Sequence, residues 1–181
     1  MTTLTKLIVS IILFLLLFSC EFNSGWSSGV SGDRNVITKE RKLKTEFNEI
    51  HISRGLDIYL TQGNTESVTV EADSNLHDLI ITEVENQILK ITAKETIGSA
   101  SSKKIHVSFD DISRIVATSG SDVYTTNSIE ANALNLETNS GSDMSLDVNV
   151  LSLSCLSTSG SDLELSGKVN ILNEKINIRW K

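Results

Sequence analysis

The chain has 181 residues, with 23 acidic against 16 basic side chains, a formal net charge of −7, two cysteines and no proline. That length suits one domain once any targeting segment is set aside. The longest basic stretch, KERKLK at 39–44, is itself interrupted by an acid, so the composition excludes the basic face that a nucleic-acid-binding surface needs.

Residues 1–19 read as a lipoprotein signal peptide. Lys6 is followed by LIVSIILFLLLF at 7–18, an apolar run too short for a membrane-spanning helix of about 20 residues but right for a signal-peptide core. The run ends in LFSC, which resembles a bacterial lipoprotein processing box, with Phe18 bulkier than usual two places before the cysteine. In that scheme Cys20 takes the lipid, becomes the first mature residue and holds the protein at a membrane surface. A plain secretory signal with a chance cysteine is the competing reading. The leader holds one lysine and no acid, so the remainder is nearer −8.

Residues 20–35 are rich in Gly and Ser and read as a flexible tether, which places the working domain at 36–181. The expected location is the cell envelope, as an outer-membrane-anchored lipoprotein facing either the periplasm or the outside. Within the domain, LDIYLT (56–61), SVTVEA (67–72), ILKITA (88–93), KIHVSF (104–109), ALNLET (133–138) and KINIRW (175–180) alternate apolar and polar residues, the pattern of half-buried strands. NLHDLIITEVEN (75–86) could be argued as a helix, but Ile80, Ile81, Thr82 and Val84 favour β. Without proline, the turns fall to Gly, Asn, Asp and Ser.

One phrase recurs. TSGSD at 118–122, NSGSD at 139–143 and TSGSD at 158–162 are each followed by an apolar residue, and SRGLD at 53–57 is a weaker copy. The last three follow at intervals of 21 and 19 residues, whereas Gly55 to Gly120 spans 65, about three such periods. A period near 20 marks a repeat architecture. It predicts an all-β, single-domain parallel β-helix-like solenoid with coils of about 20 residues, in which small polar corners stack. An antiparallel sandwich or barrel is the rival.

Stacked corners would bring Asp122, Asp143 and Asp162 into one column. Mutual repulsion there could be relieved by Ca²⁺, but the repeat lacks the nine-residue Ca²⁺-binding pattern. The favoured reading is that each Asp holds its corner through backbone N–H groups, with no metal and no cofactor. Tyr59 and Tyr124 each stand two residues after a repeat Asp and point outward, giving with the three Asp residues a possible binding face for glycan or protein. His51 and His106 are isolated on strands, and His77 falls in a turn as a surface or rim residue. Cys155 is in phase with Leu151 and Leu153 and reads as buried filler. No catalytic constellation assembles, so the chain is read as not an enzyme.

The stretch FNEIHISRGLDIYLTQGNTESVTVEADSNLHDLIITEVENQILKITA (47–93), with its Gly-x-Asp-apolar strand, QG turn and VTVE strand, and the SGSD coils after it, resembles the family called putative auto-transporter adhesin, head GIN domain. The resemblance covers about residues 36–172. It implies a β-helix-like all-β domain in secreted or lipid-anchored proteins of Bacteroidetes-like bacteria, and an adhesin label that carries no mechanism. Members continue through further SG-x-SD coils, whereas here NEKINIRWK (173–181) follows the last phrase. Either that strand is a short cap, or the chain is a truncated version with a vulnerable end. The favoured reading is truncation or pairing of that edge with a second copy in a homodimer. The function expected is a non-enzymatic adhesion or interaction module. The alternatives are a glycan-processing enzyme on the same scaffold and a purely structural envelope-stress accessory.

Overall fold

The computed structural model describes residues 29–175 and 178–180, so the signal peptide and Cys20 lie outside the described residues. Thirteen strands follow in order: β1 (Val36–Arg41), β2 (Glu49–Ile52), β3 (Asp57–Gln62), β4 (Ser67–Asp73), β5 (Ile80–Glu85), β6 (Ile88–Ala93), β7 (Lys103–Phe109), β8 (Arg114–Ala117), β9 (Asp122–Thr125), β10 (Ile129–Thr138), β11 (Asp143–Ser157), β12 (Asp162–Lys175) and β13 (Ile178–Trp180). One 3₁₀ turn, Ser74–Leu76, separates β4 from β5. The stretch 75–86, ambiguous in sequence, is therefore a turn followed by a strand, as its β-branched residues favour.

All thirteen strands belong to one sheet, whose path runs β1-β4-β7-β3-β9-β11-β10-β8-β2-β6-β5, with β12 and β13 continuing from β11. One edge of β11 pairs with β12, and its other edge is shared by two strands. Asp143–Ser145 pair with β9, whereas the residues from Val148 to Ser157 pair with β10. The sheet consequently doubles over along β11 and β12 and nearly closes like a flattened barrel. We call the side carrying β3, β7 and β9 the front wall, and the side carrying β2, β6, β8 and β10 the back wall.

Alternation makes each wall apolar inside. Ile58, Leu60, Ile105, Val107 and Val123 from the front meet Ile50, Ile52, Leu89, Ile91 and Ile115 from the back in one buried cluster. Each such side chain contributes about 1.5–3 kcal/mol by leaving water. Cys155 joins this core with Leu153 and is buried, whereas Leu151, read in the same phase, is exposed because the inward phase shifts between Val150 and Leu153.

Parallel registers carry the repeat. Arg114, Asn135, Ser154 and Asn173 lie side by side on the back wall, and Asp57, Asp122, Asp143 and Asp162 on the front. Uniform parallel coils are not what the whole chain builds, because β1–β4, β4–β7 and β5–β6 pair antiparallel. The 65-residue interval is also not three coils. The chain between β3 and β8 is laid on the far side of β2 and β3, which leaves Asp57 and Asp122 as direct register neighbours.

The repeated phrase forms the corner from back wall to front wall. Ser119–Gly120, Ser140–Gly141 and Ser159–Gly160 all have positive φ, between 56° and 72°, as do Arg54 and Gly55. Two successive left-handed residues make the tight reversal, and Gly takes that conformation without a Cβ penalty. The corners are bonded to one another. Gly120 N–H donates to Ser140 O, Gly141 N–H to Ser159 O, and Asp143 N–H to Ser121 O, all at 3.1–3.2 Å. The following serine is turned inward. Ser121 and Ser142 are fully buried, and Ser121 Oγ accepts Gly55 N–H while Ser142 Oγ accepts Ser121 N–H.

The expected tether is bound to the domain from Gly29 onward. Val30 bridges Ile97, and Gly32 N–H donates to Ser99 O at 2.8 Å. Buried Asp73 anchors this strap by accepting main-chain N–H groups of Arg34, Ser101 and Ser102. Burial pushes its carboxyl up, but the three donors outweigh it and hold the pKa below the ordinary value.

Candidate functional site

The outer face of the front wall carries two columns of side chains. The first runs Lys104, Asp57, Asp122, Asp143, Asp162 in register. Lys103 Nζ lies 3.5 Å from Asp57 Oδ1 and also donates to Gly55 O, so cations meet only one end of the acidic run among the contacts described. Asp143 Oδ1 accepts Asp162 N–H at 3.1 Å. The reading that each Asp pins its own corner is thereby refined, since this carboxylate holds the next coil. Among the described residues no group of three or more His, Cys, Asp or Glu side chains is placed to hold a metal.

Burial pushes the Asp122 carboxyl above its ordinary value, and the charges of Asp57 and Asp143 add to the shift while Lys103 opposes it. A raised folded-state pKa means the native protein binds this proton more tightly than the unfolded chain does. Stability from this group therefore falls as pH rises through the folded pKa and is recovered below it. Asp122→Asn should melt higher than wild type at pH 7 by less than about 1 kcal/mol, since the group is part-exposed and screened. The gap between the two melting curves should close as pH drops to about 4. A gap that widens on acidification would contradict the column's repulsion.

The second column is aromatic. Tyr59 stacks on Tyr124 with ring centroids 5.4 Å apart and on His106 at 5.3 Å, with interplanar angles of 27° and 23°. The two tyrosines named from sequence are thus brought into direct contact. His106 was missed as a third member. The signal lay in KIHVSF, whose His stands in the same strand phase as Tyr59 in DIYLTQ once β7 and β3 are aligned. Lys104 Nζ sits 6.0 Å over the Tyr59 ring, at the edge of cation–π range. The Tyr124 hydroxyl is pushed up by burial, then by Asp122 and Tyr59.

The other histidines lie elsewhere. His51 is 3.3 Å from Glu49 on the back wall. His77 corrects the surface reading. It is buried, with Nε2 at 3.1 Å from Ile37 O and 3.2 Å from Ala72 O, holding β1 and β4 to the 3₁₀ turn. A separate open cleft of about 1050 Å³ lies at the opposite turn, lined among others by Phe47, Glu46, Glu66, Asp110 and Asp111. Burial raises the Glu66 carboxyl there, Phe47 N–H opposes, and Glu46 and Asp110 add to the rise. No helix among the described residues is long and apolar enough to cross a membrane.

These features define an all-β scaffold with stacked polar corners, whose most developed side-chain arrangement lies on an exposed strand face. The chain belongs to the family described as putative auto-transporter adhesin, head GIN domain, whose model matches residues 46–178. Solved structures share the fold. A putative adhesin from Bacteroides fragilis NCTC 9343 is 21% identical with a TM-score of 0.73, over 79% of this chain and 67% of that one. A putative adhesin from Parabacteroides merdae ATCC 43184 is 18% identical with a TM-score of 0.71, and this chain spans 61% of its length and matches over 79% of its own. A protein described as a putative lipid binding protein from Parabacteroides distasonis ATCC 8503 is 18% identical with a TM-score of 0.60, over 77% of this chain and 74% of that one. No curated protein matches the chain.

Proposed function

We propose that this protein is a lipid-anchored, non-enzymatic adhesion or interaction module of the cell envelope, presenting its front wall to a glycan or protein partner. The observation that carries the reading is the joined stripe of stacked Tyr59 and Tyr124 beside the Asp57, Asp122, Asp143 and Asp162 column. An exposed aromatic face, here that of Tyr124, next to hydrogen-bond acceptors is the equipment of a recognition surface. Neighbours described as putative adhesins support the same class of role. The successive parallel registers of β8 to β12 support a β-helix-like reading of the C-terminal coils. Lipid on Cys20 holds the domain at the outer membrane, and pairing of two copies through the C-terminal strand edge is supported by exposed Ile171 and Leu172.

Intact cells test the proposal. External protease should remove the wild-type protein from the cell surface, and Cys20→Ser should shift it from the membrane fraction to the soluble one with loss of labelled palmitate. Cleavage seen only after the outer membrane is opened would exclude the adhesin role.

The cleft at Glu66 favours a second reading, a glycan-processing enzyme. A carboxyl raised by burial beside other carboxylates is the arrangement that general-acid catalysis uses. That reading requires polysaccharide cleavage that Glu66→Gln abolishes.

A further inference from the structure

The aromatic column has one open end. Tyr59 is covered on both faces, by His106 at 5.3 Å and Tyr124 at 5.4 Å, so it has no face left for a ligand. Tyr124 meets Tyr59 on one side, and its register neighbour on the other is Ser145. A serine is too short to cover a phenol ring, and Tyr124 remains 37% exposed. On the same strand Asp143 and Asp147 stand outward, each two residues from Ser145, hence about 7 Å along the strand on either side. Asp122 borders the slot from the preceding coil, in register with Asp143. Glu164 stands on the far side of Ser145 in register, and Asp143 Oδ1 and Asp147 Oδ2 already accept Asp162 N–H and Ser166 Oγ–H. The slot is therefore one strand wide, with a flat wall, a low floor and carboxylates along its other sides.

We propose that the open face of Tyr124 above Ser145 is a stacking subsite for one pyranose ring that carries no carboxylate, sulfate or phosphate. The inference rests on the front wall being the binding face. The ring's apolar C–H face would lie on the phenol, and hydroxyls at its two edges would donate to Asp143, Asp147 and Asp122 in charge-assisted bonds. The same carboxylates repel anionic sugars, and an acidic environment of this kind also disfavours phosphate. The acceptors flank a ring-sized gap on both sides, which suits a donor-rimmed ring better than the single guanidinium of a basic peptide. Tyr59 is a positioning residue, since it acts by backing Tyr124.

The test uses the full chain in detergent against an array of neutral, N-acetylated, uronic-acid-bearing and sulfated oligosaccharides, with an arginine-rich peptide alongside. Binding should appear in the neutral or N-acetylated group. Tyr124→Ala and Ser145→Leu should each weaken it at least tenfold, while Tyr124→Phe and Ser145→Ala stay within about twofold. Ser145→Leu is the decisive variant, because it adds bulk on an outward strand position and its melting temperature should match wild type. Binding confined to acidic sugars, or unaffected by Ser145→Leu, overturns the subsite. A blank array with peptide binding that Tyr124→Ala removes overturns the sugar but keeps the front wall. A blank array, with no peptide binding and cell adherence indifferent to Tyr124→Ala, removes both.

Discussion

Gly167→Ala is expected to destabilise the domain by about 3 kcal/mol or more, seen as a fall in melting temperature of roughly 10 °C. Gly167 lies within β12, where an interior glycine normally weakens a strand, and it adopts φ +109°. A Cβ there would lie 2.0 Å from Val148 O and 3.0 Å from Val148 N. Those atoms belong to the strand paired in register with it, and Val148 is itself fully buried. No flexible side chain can give way, so either the backbone of β11 shifts or the φ angle does. Both lie next to the stretch where the long strands pass from front wall to back wall. Gly120→Ala is the control, since its φ is similarly positive but no atom lies within 4 Å of the added carbon. It should lose about 1 kcal/mol. Equal losses in the two variants would mean that β11 accommodates the methyl group.

What the sequence revealed follows from how local each determinant is. Period-two alternation depends on neighbouring residues, so runs such as ILKITA (88–93) and KIHVSF (104–109) coincide with β6 and β7. The corner phrase was legible because left-handed backbone twice in succession restricts residue choice, and the same solution recurs at 119–120, 140–141 and 159–160. Strand order was not legible. Nothing in SVTVEA says that β4 runs antiparallel to β7, because alternation is the same in both directions. Nor does it say that β3 pairs in parallel with β9, which makes Tyr59 and Tyr124 neighbours at 5.4 Å despite the residues between them. The burial of His77 was hidden for the same reason, since its partners Ile37 O and Ala72 O are main-chain atoms without a sequence signature. The candidate face was named from two tyrosines and three aspartates. Its free and covered ring faces needed the register.

Replacing the inward serines should show which residue of the repeated phrase holds the corner. Ser142→Ala leaves the Ser121 N–H without its acceptor, and Ser121→Ala does the same to Gly55 N–H. Both serines are fully buried, so water does not readily replace the lost oxygen. Each variant should lose about 2 kcal/mol, within the 1–3 kcal/mol that a buried unsatisfied donor costs. The double variant should lose more than either, although the shared chain of bonds makes strict additivity unsafe. Gly141→Ala should lose about 1 kcal/mol, because it adds only left-handed strain with nothing within 4 Å. Asp143→Asn should lose least, because an amide oxygen can still accept Asp162 N–H and one charge leaves a repelling column. Chemical denaturation of the five variants fixes the order. If Asp143→Asn proves costlier than Ser142→Ala, the corner is held from outside by its carboxylates, and the buried serine ladder is not what joins the coils.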